Sequence, residues 1–265
     1  MLRLRDFSLE EPSETAALRR KCAERPNDVS GQIAFGVALS RSGCTYEASA
    51  ILRPLRAQWK SSDDEQPARI ALETQTWWNK NWRAFAQFKH AGNKEAALQL
   101  LGDRAVLCWD LPPLLVHLGD FAAGDGQFDL ANHLYQRVAY LSQRGLPKMN
   151  MAPFAYVAQA SLVETLLLSG KPGEALERHR AITPNAGNAM AHEIQHLKLL
   201  VATQNFDEAM RQAASTIMTA KKHRSGYSKV VRMEFIETAP ELAPLRDRSD
   251  WTGMLNDPSS YLRSS

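Results

Sequence analysis

The chain has 265 residues, 44% hydrophobic and 23% charged, with a formal net charge of only +3 at neutral pH. That composition excludes a disordered chain and leaves room for one or two globular cores. The small net charge supplies no field that would hold nucleic acid or an anionic membrane, and no apolar run reads as a secretory leader or a membrane span, so a cytoplasmic protein is expected.

Ser13 is read as the N-cap of a helix over 14–24, which stops where Pro26 restricts Arg25. Next come two helices joined at Gly43: Ile33, Phe35, Gly36 and Leu39 make the inner face of the first, and Ala48, Leu52 and Leu55 that of the second. Pro54 should kink or shorten the second helix. After a polar break over 61–64, a long helix is expected over 65–90, carrying Trp77, Trp78, Trp82, Phe85 and Phe88, with a turn at Gly92 and a helix through Ala96 to Leu101. Pro112 and Pro113 suit the start of the next helix. There Leu115, Leu118, Gly119 and Ala122 share one face, Gly126 permits the turn, and Phe128, Ala131, Tyr135 and Val138 make the face of the following helix. A breaker-rich loop over 144–153 leads to a fourth pair, with Phe154, Leu162, Val163 and Leu166, a turn at Gly170, then Ala175, His179 and Ile182. The fifth pair has His196, Leu197 and Leu200, a turn at Gln204 and Asn205, then Phe206, Ala209 and Ala213. The turn positions Gly43, Gly92, Gly126, Gly170 and Gln204 lie 49, 34, 44 and 34 residues apart, the two longer intervals holding the long helix over 65–90 and the loop over 144–153. The tail over 221–265 holds short amphipathic pieces whose apolar residues are expected to cover the last pair.

The stretch from Leu115 to Ala139 resembles the tetratricopeptide repeat: a large apolar residue, Leu-Gly, a turn glycine, and small and aromatic residues in the second helix, at a spacing of 34. The resemblance runs over about 14–220 and is weakest in the second pair, whose first helix is long for the family. It implies an all-α protein: a right-handed α-α superhelix, or solenoid, of about five helix pairs with capping helices. The domain reading is an N-terminal capping helix over 1–25, the array over 26–220 and a C-terminal capping segment over 221–265.

The resemblance further implies a non-enzymatic adaptor without cofactor, which binds a protein or peptide in the concave groove lined by the first helices. By the family's spacing Arg41, Trp78, Trp82, Lys89, Asp120, Glu164 and Lys198 point into or near that groove. Apolar anchors there would hold a peptide and charges would orient it, while the tryptophans have an alternative role packing the long helix against its neighbours. Ile33 and Val37 stand where family members that clamp carboxylate tails carry polar groups, which argues against that activity. Self-association and a peptide-responsive regulator are open alternatives.

One catalytic pattern competes. His192-Glu193-Ile194-Gln195-His196 matches H-E-x-x-H, in which two histidines a turn apart hold Zn²⁺ and the glutamate activates water. Against a zinc hydrolase, His196 takes the inner-face place of Leu118 and Leu162, Lys198 follows the pattern where zincins carry an apolar residue, and no strand is legible nearby. No metal is therefore expected. Cys22, Cys44 and Cys108, odd in number and widely spaced, read as reduced thiols packed as small apolar groups. The basic cluster over 221–224 reads as a solvated helix end, favoured by the helix dipole.

Overall fold

The structure is a computed structural model that describes residues 9, 11–60, 63–147, 149–184, 187–222 and 226–263. It is 79% helix, and no strand occurs among the described residues, which makes the protein all-α. Two isolated antiparallel bridges, Cys44 with Cys108 and Leu146 with Met149, are its extended pairings. No helix among the described residues is long and apolar enough to cross a membrane. The chain forms two compact units, Met1–Ala158 and Gln159–Ser265; this division falls inside the expected array over 26–220, not at its ends. The first eight residues of the expected N-terminal cap, Ser61 and Ser62 of the polar break, Lys148 of the breaker-rich loop, and His223 and Arg224 of the basic cluster lie outside the described residues.

In the first unit, α1 (Ser13–Glu24) packs on α2 (Val29–Arg41), α2 on α3 (Thr45–Leu52), and both α2 and α3 on the long α5 (Glu65–His90). Ser13 is the first helical residue and not the cap expected of it; Pro12 occupies the cap position and no side chain closes that end. Pro54 ends α3 at Leu52, because its ring nitrogen has no proton to continue the ladder, and a single turn, α4 (Arg56–Trp59), follows. α6 (Lys94–Leu101) runs into a 3₁₀ turn over Gly102–Leu107, after which α7 (Pro112–Gly124) and α8 (Phe128–Arg144) form the most closely packed pair. A small residue permits that closeness, since a Cβ on Gly119 would meet the Tyr135 ring at 2.5 Å; between α2 and α3 a Cβ on Gly36 would likewise meet Leu52 at 2.6 Å.

Among the described residues five helix ends are closed identically. At Gly43 the amide donates to Ser40 and the next amide, of Cys44, reaches back to Leu39; the same two bonds recur at Gly92, Gly126, Gly170 and Gln204. This is the Schellman closure, which satisfies otherwise free carbonyls and needs a left-handed residue. The four glycines have φ of 70 to 79°, and Gln204 adopts φ 60° without a glycine's freedom.

A polar core runs through the first unit. Asp110 is fully buried and accepts from the amides of Tyr46 at 3.0 Å and Glu47 at 2.8 Å, so a carboxyl distant in sequence caps α3. Burial pushes that carboxyl up to about 7, opposed by the two amides and by the nearby Arg137 charge. Arg137, 1% exposed, donates to the carbonyls of Trp109 at 3.2 Å and Leu9 at 2.6 Å and to Cys44 Sγ at 3.3 Å. Beside it Arg19 and Arg144 each bridge both Glu11 and Glu47, closing a ring of four charges at 2.5 to 3.0 Å. The third helix pair thus meets α3 without the second intervening, a departure from strict neighbour-on-neighbour stacking.

α9 (Ala152–Leu168) carries the boundary between the units. In the second unit α10 (Pro172–Arg180), α11 (Ala189–Ala202) and α12 (Phe206–Lys222) bury Ala175, Leu176, Leu197, Leu200, Ala209 and Ala213. α13 (Gly226–Thr238), a 3₁₀ turn at Pro240–Leu242, α14 (Ala243–Arg246), α15 (Trp251–Asn256) and α16 (Pro258–Arg263) follow. Ile236, Leu242, Leu245, Trp251 and Met254 enter the same core, so the tail does cover α11 and α12.

Two substitutions test these constraints by urea denaturation. Gln204→Gly should stabilise the chain by about 0.5–1 kcal/mol, since glycine adopts the left-handed turn without steric cost. Asp110→Ala should cost on the order of 3 kcal/mol, because the two amides at the start of α3 lose their buried acceptor.

Candidate functional site

The strongest site geometry lies between α5 and α7. The helical period aligns Trp78, Trp82, Phe85 and Lys89 on one face of α5, and Pro113, Val116, His117 and Asp120 on one face of α7. The two stripes meet residue by residue. The Trp82 ring stacks on His117 at 5.8 Å and 14°, Phe85 touches both His117 at 5.9 Å and Phe121 at 6.5 Å, and Lys89 Nζ reaches Asp120 Oδ2 at 3.3 Å.

Along the α5 side the rings divide by role. Phe85 is fully buried and Trp78 nearly so, while Trp82 stays half-exposed 5.1 Å from Trp78. Trp77 faces elsewhere, covered by the Arg104 guanidinium at 5.0 Å. Trp78, Trp82, Pro113, Val116 and His117, with Phe154 and Val157 from the first turns of α9, wall a cavity of about 540 Å³. Its lining is mostly carbon, and Val157 is 40% exposed at its rim.

Polar groups gather beside these rings. Asp120 accepts from Tyr135 Oη at 2.9 Å and from Lys89, with His117 Nδ1 at 3.7 Å, beyond hydrogen-bond range but near enough to attract when charged. Burial alone would push the Asp120 carboxyl up; the His117, Tyr135 and Lys89 groups outweigh it and hold the carboxyl below its usual range. It is therefore a fixed negative charge beside an apolar cleft.

Of the seven groove residues expected from the sequence, Trp78, Trp82, Lys89 and Asp120 come together here. Arg41 is exposed in the last turn of α2 and does not line this cavity. Glu164 and Lys198 belong to the second unit, where Lys198 pairs with Glu241 at 2.7 Å and lies over the Phe235 ring at 5.8 Å. His117, Val116 and Val157 were not anticipated. Pro113, Val116 and His117 fall at i, i+3 and i+4, a second stripe of α7 beside the inner-face Leu115 and Leu118.

The His192-Glu193-x-x-His196 segment lies in α11 as a helix, yet its groups do not converge. His179 of α10 stacks on His192 at 3.9 Å and on His196 at 5.3 Å, with rings within 19° of parallel, so the ring-plane lone pairs point along parallel sheets and not at one centre. Glu193 is engaged by Arg232 at 3.0 Å. Among the described residues no group of three or more His, Cys, Asp or Glu is arranged to hold a metal ion. No family profile, curated protein or solved structure matches the chain.

The histidine stack makes a pH prediction. Burial, then the neighbouring His192 and His196, lowers His179 to about 4. Between pH 6.5 and 4 the unfolded chain therefore takes up a proton that the folded one refuses, and stability falls as pH falls through that window. Amide exchange in α10 and α11 should accelerate at pH 4.5 relative to pH 7, and His179→Leu should remove a loss on the order of 2 kcal/mol.

Proposed function

We propose that the protein is a non-enzymatic adaptor, a tetratricopeptide-like array that takes an apolar segment of a protein or peptide partner into the cleft between α5 and α7. The observation that carries this reading is the half-open, carbon-lined cavity walled by two tryptophans. Its volume of about 540 Å³ falls in the range of sites that enclose a ligand, and seating one large apolar side chain there gains roughly 1.5–3 kcal/mol. Tryptophan at such a wall acts as an anchor because it offers a large rigid surface at small entropic cost. Lys89 and Asp120, bonded to each other, supply polar groups beside the anchor that favour one direction of an entering chain.

The array reading draws on the five identical helix closures and the glycine contacts at Gly36 and Gly119, the positions at which the repeat pattern demands small residues. A right-handed solenoid of about five pairs fits those closures and the recurring spacing of 34.

Peptides selected from a displayed random library and titrated by tryptophan fluorescence test the site. Trp82→Ala and Val157→Arg should each weaken binding by about 10-fold or more, whereas Lys198→Ala leaves it unchanged. Peptides that bind both cleft variants as tightly as the parent chain would place the site elsewhere.

A further inference from the structure

Cys44 and Cys108 are 64 positions apart in sequence, yet their backbones face each other as an antiparallel pair. The Trp109 amide donates to the Gly43 carbonyl at 3.0 Å, directly beside the pair. The amides of the two cysteines point away, Cys44 to Leu39 at 2.9 Å and Cys108 to Ala105 at 3.4 Å. This is the non-hydrogen-bonded type of antiparallel pair, in which Cα atoms stand about 4.5 Å apart and side chains share a face. A disulfide requires Cα atoms roughly 4.4–6.8 Å apart. Both residues are buried as thiols, and Arg137 Nη2 lies 3.3 Å from Cys44 Sγ. Cys22 sits apart from them in α1.

We propose that Cys44 and Cys108 form a reversible disulfide by exchange with a low-molecular-weight disulfide of the glutathione class. The Cys44 thiolate, which the Arg137 guanidinium favours, attacks one sulfur of oxidised glutathione and releases one glutathione thiolate. Cys108 then attacks the Cys44 sulfur of the mixed disulfide and expels the second. The two protons lost by the protein thiols end on the two glutathione molecules, so one disulfide is reduced for the one formed. Burial pushes both thiols up to about 12, so exchange passes through local opening of the turn between α2 and α3, and the closed bond is shielded from reversal in the same way. The product is a covalent link between the start of α3 and the approach to α7, the junction that Asp110 already closes by hydrogen bonds.

The full chain, and its Cys22→Ser variant whose remaining thiols are Cys44 and Cys108, should be equilibrated in glutathione buffers of graded ratio, quenched with an alkylating agent and weighed intact. The expected product lacks two hydrogens, carries no glutathione, and yields on digestion one linked peptide containing Cys44 and Cys108. Its formation should run about 10-fold faster at pH 8.5 than at pH 7, and its thermal midpoint should exceed that of the reduced chain by several degrees. Full alkylation of both cysteines in every buffer, glutathione adducts without the linked peptide, or links through Cys22 alone would overturn the proposal. Because the Cys22→Ser chain keeps both partners and the buried junction intact, the outcome does not depend on a core cysteine variant folding.

Discussion

The first unit depends on one carboxyl. Asp110 reaches the start of α3 and accepts from the Tyr46 and Glu47 amides, where no local side chain provides a cap. A buried acid is unfavourable unless its oxygens are satisfied, and the helix amides satisfy them; Arg137, whose own guanidinium is shared among two carbonyls, a thiol and the Trp109 and Tyr140 rings, offsets only part of the cost of its charge. Each partner comes from a different stretch of chain, so the arrangement is complete only when α3, α7 and α8 are all in place. The ring of Glu11, Arg19, Glu47 and Arg144 extends the same junction toward the surface.

That junction also explains why the cleft stands where it does. α5 is held from one side by α2 and α3, and its Phe85 is locked into the core, which leaves Trp78 and Trp82 turned toward α7. His117 completes the stack from the opposite helix, and the Lys89–Asp120 pair ties the two stripes together near the end of α5. Each aromatic ring of the wall thus has a ring neighbour, and the charge beside it has partners.

Local features were legible from the residues. The helix punctuation at Pro54, Pro112 and the turn residues Gly43, Gly92, Gly126, Gly170 and Gln204 follows from backbone chemistry that acts within five residues. Ser13 misled because a good capping side chain competes with the fixed geometry of Pro12, and the proline took the place. What spacing could not reveal were contacts with no periodic trace: Asp110 under α3, Arg137 where a helix face reads as core, and His179 from α10 stacked against the two histidines of α11. For the cleft, the helical period groups Trp78, Trp82 and Lys89 on one stripe of α5, whereas Glu164 and Lys198, which a repeat template sets beside them, lie in the second unit.

The placement of Asp110 and Arg137 so far down the chain bears on how the protein emerges during synthesis. An array stacked only neighbour on neighbour can consolidate pair by pair as it leaves the ribosome. Here the first pair waits for its cap and its counter-charge until α8 has been made, so helices α1 to α6 spend that interval with the start of α3 unsatisfied and the tryptophan wall uncovered. In the nascent chain that apolar surface, without α7 to cover it, is the one most in need of a chaperone.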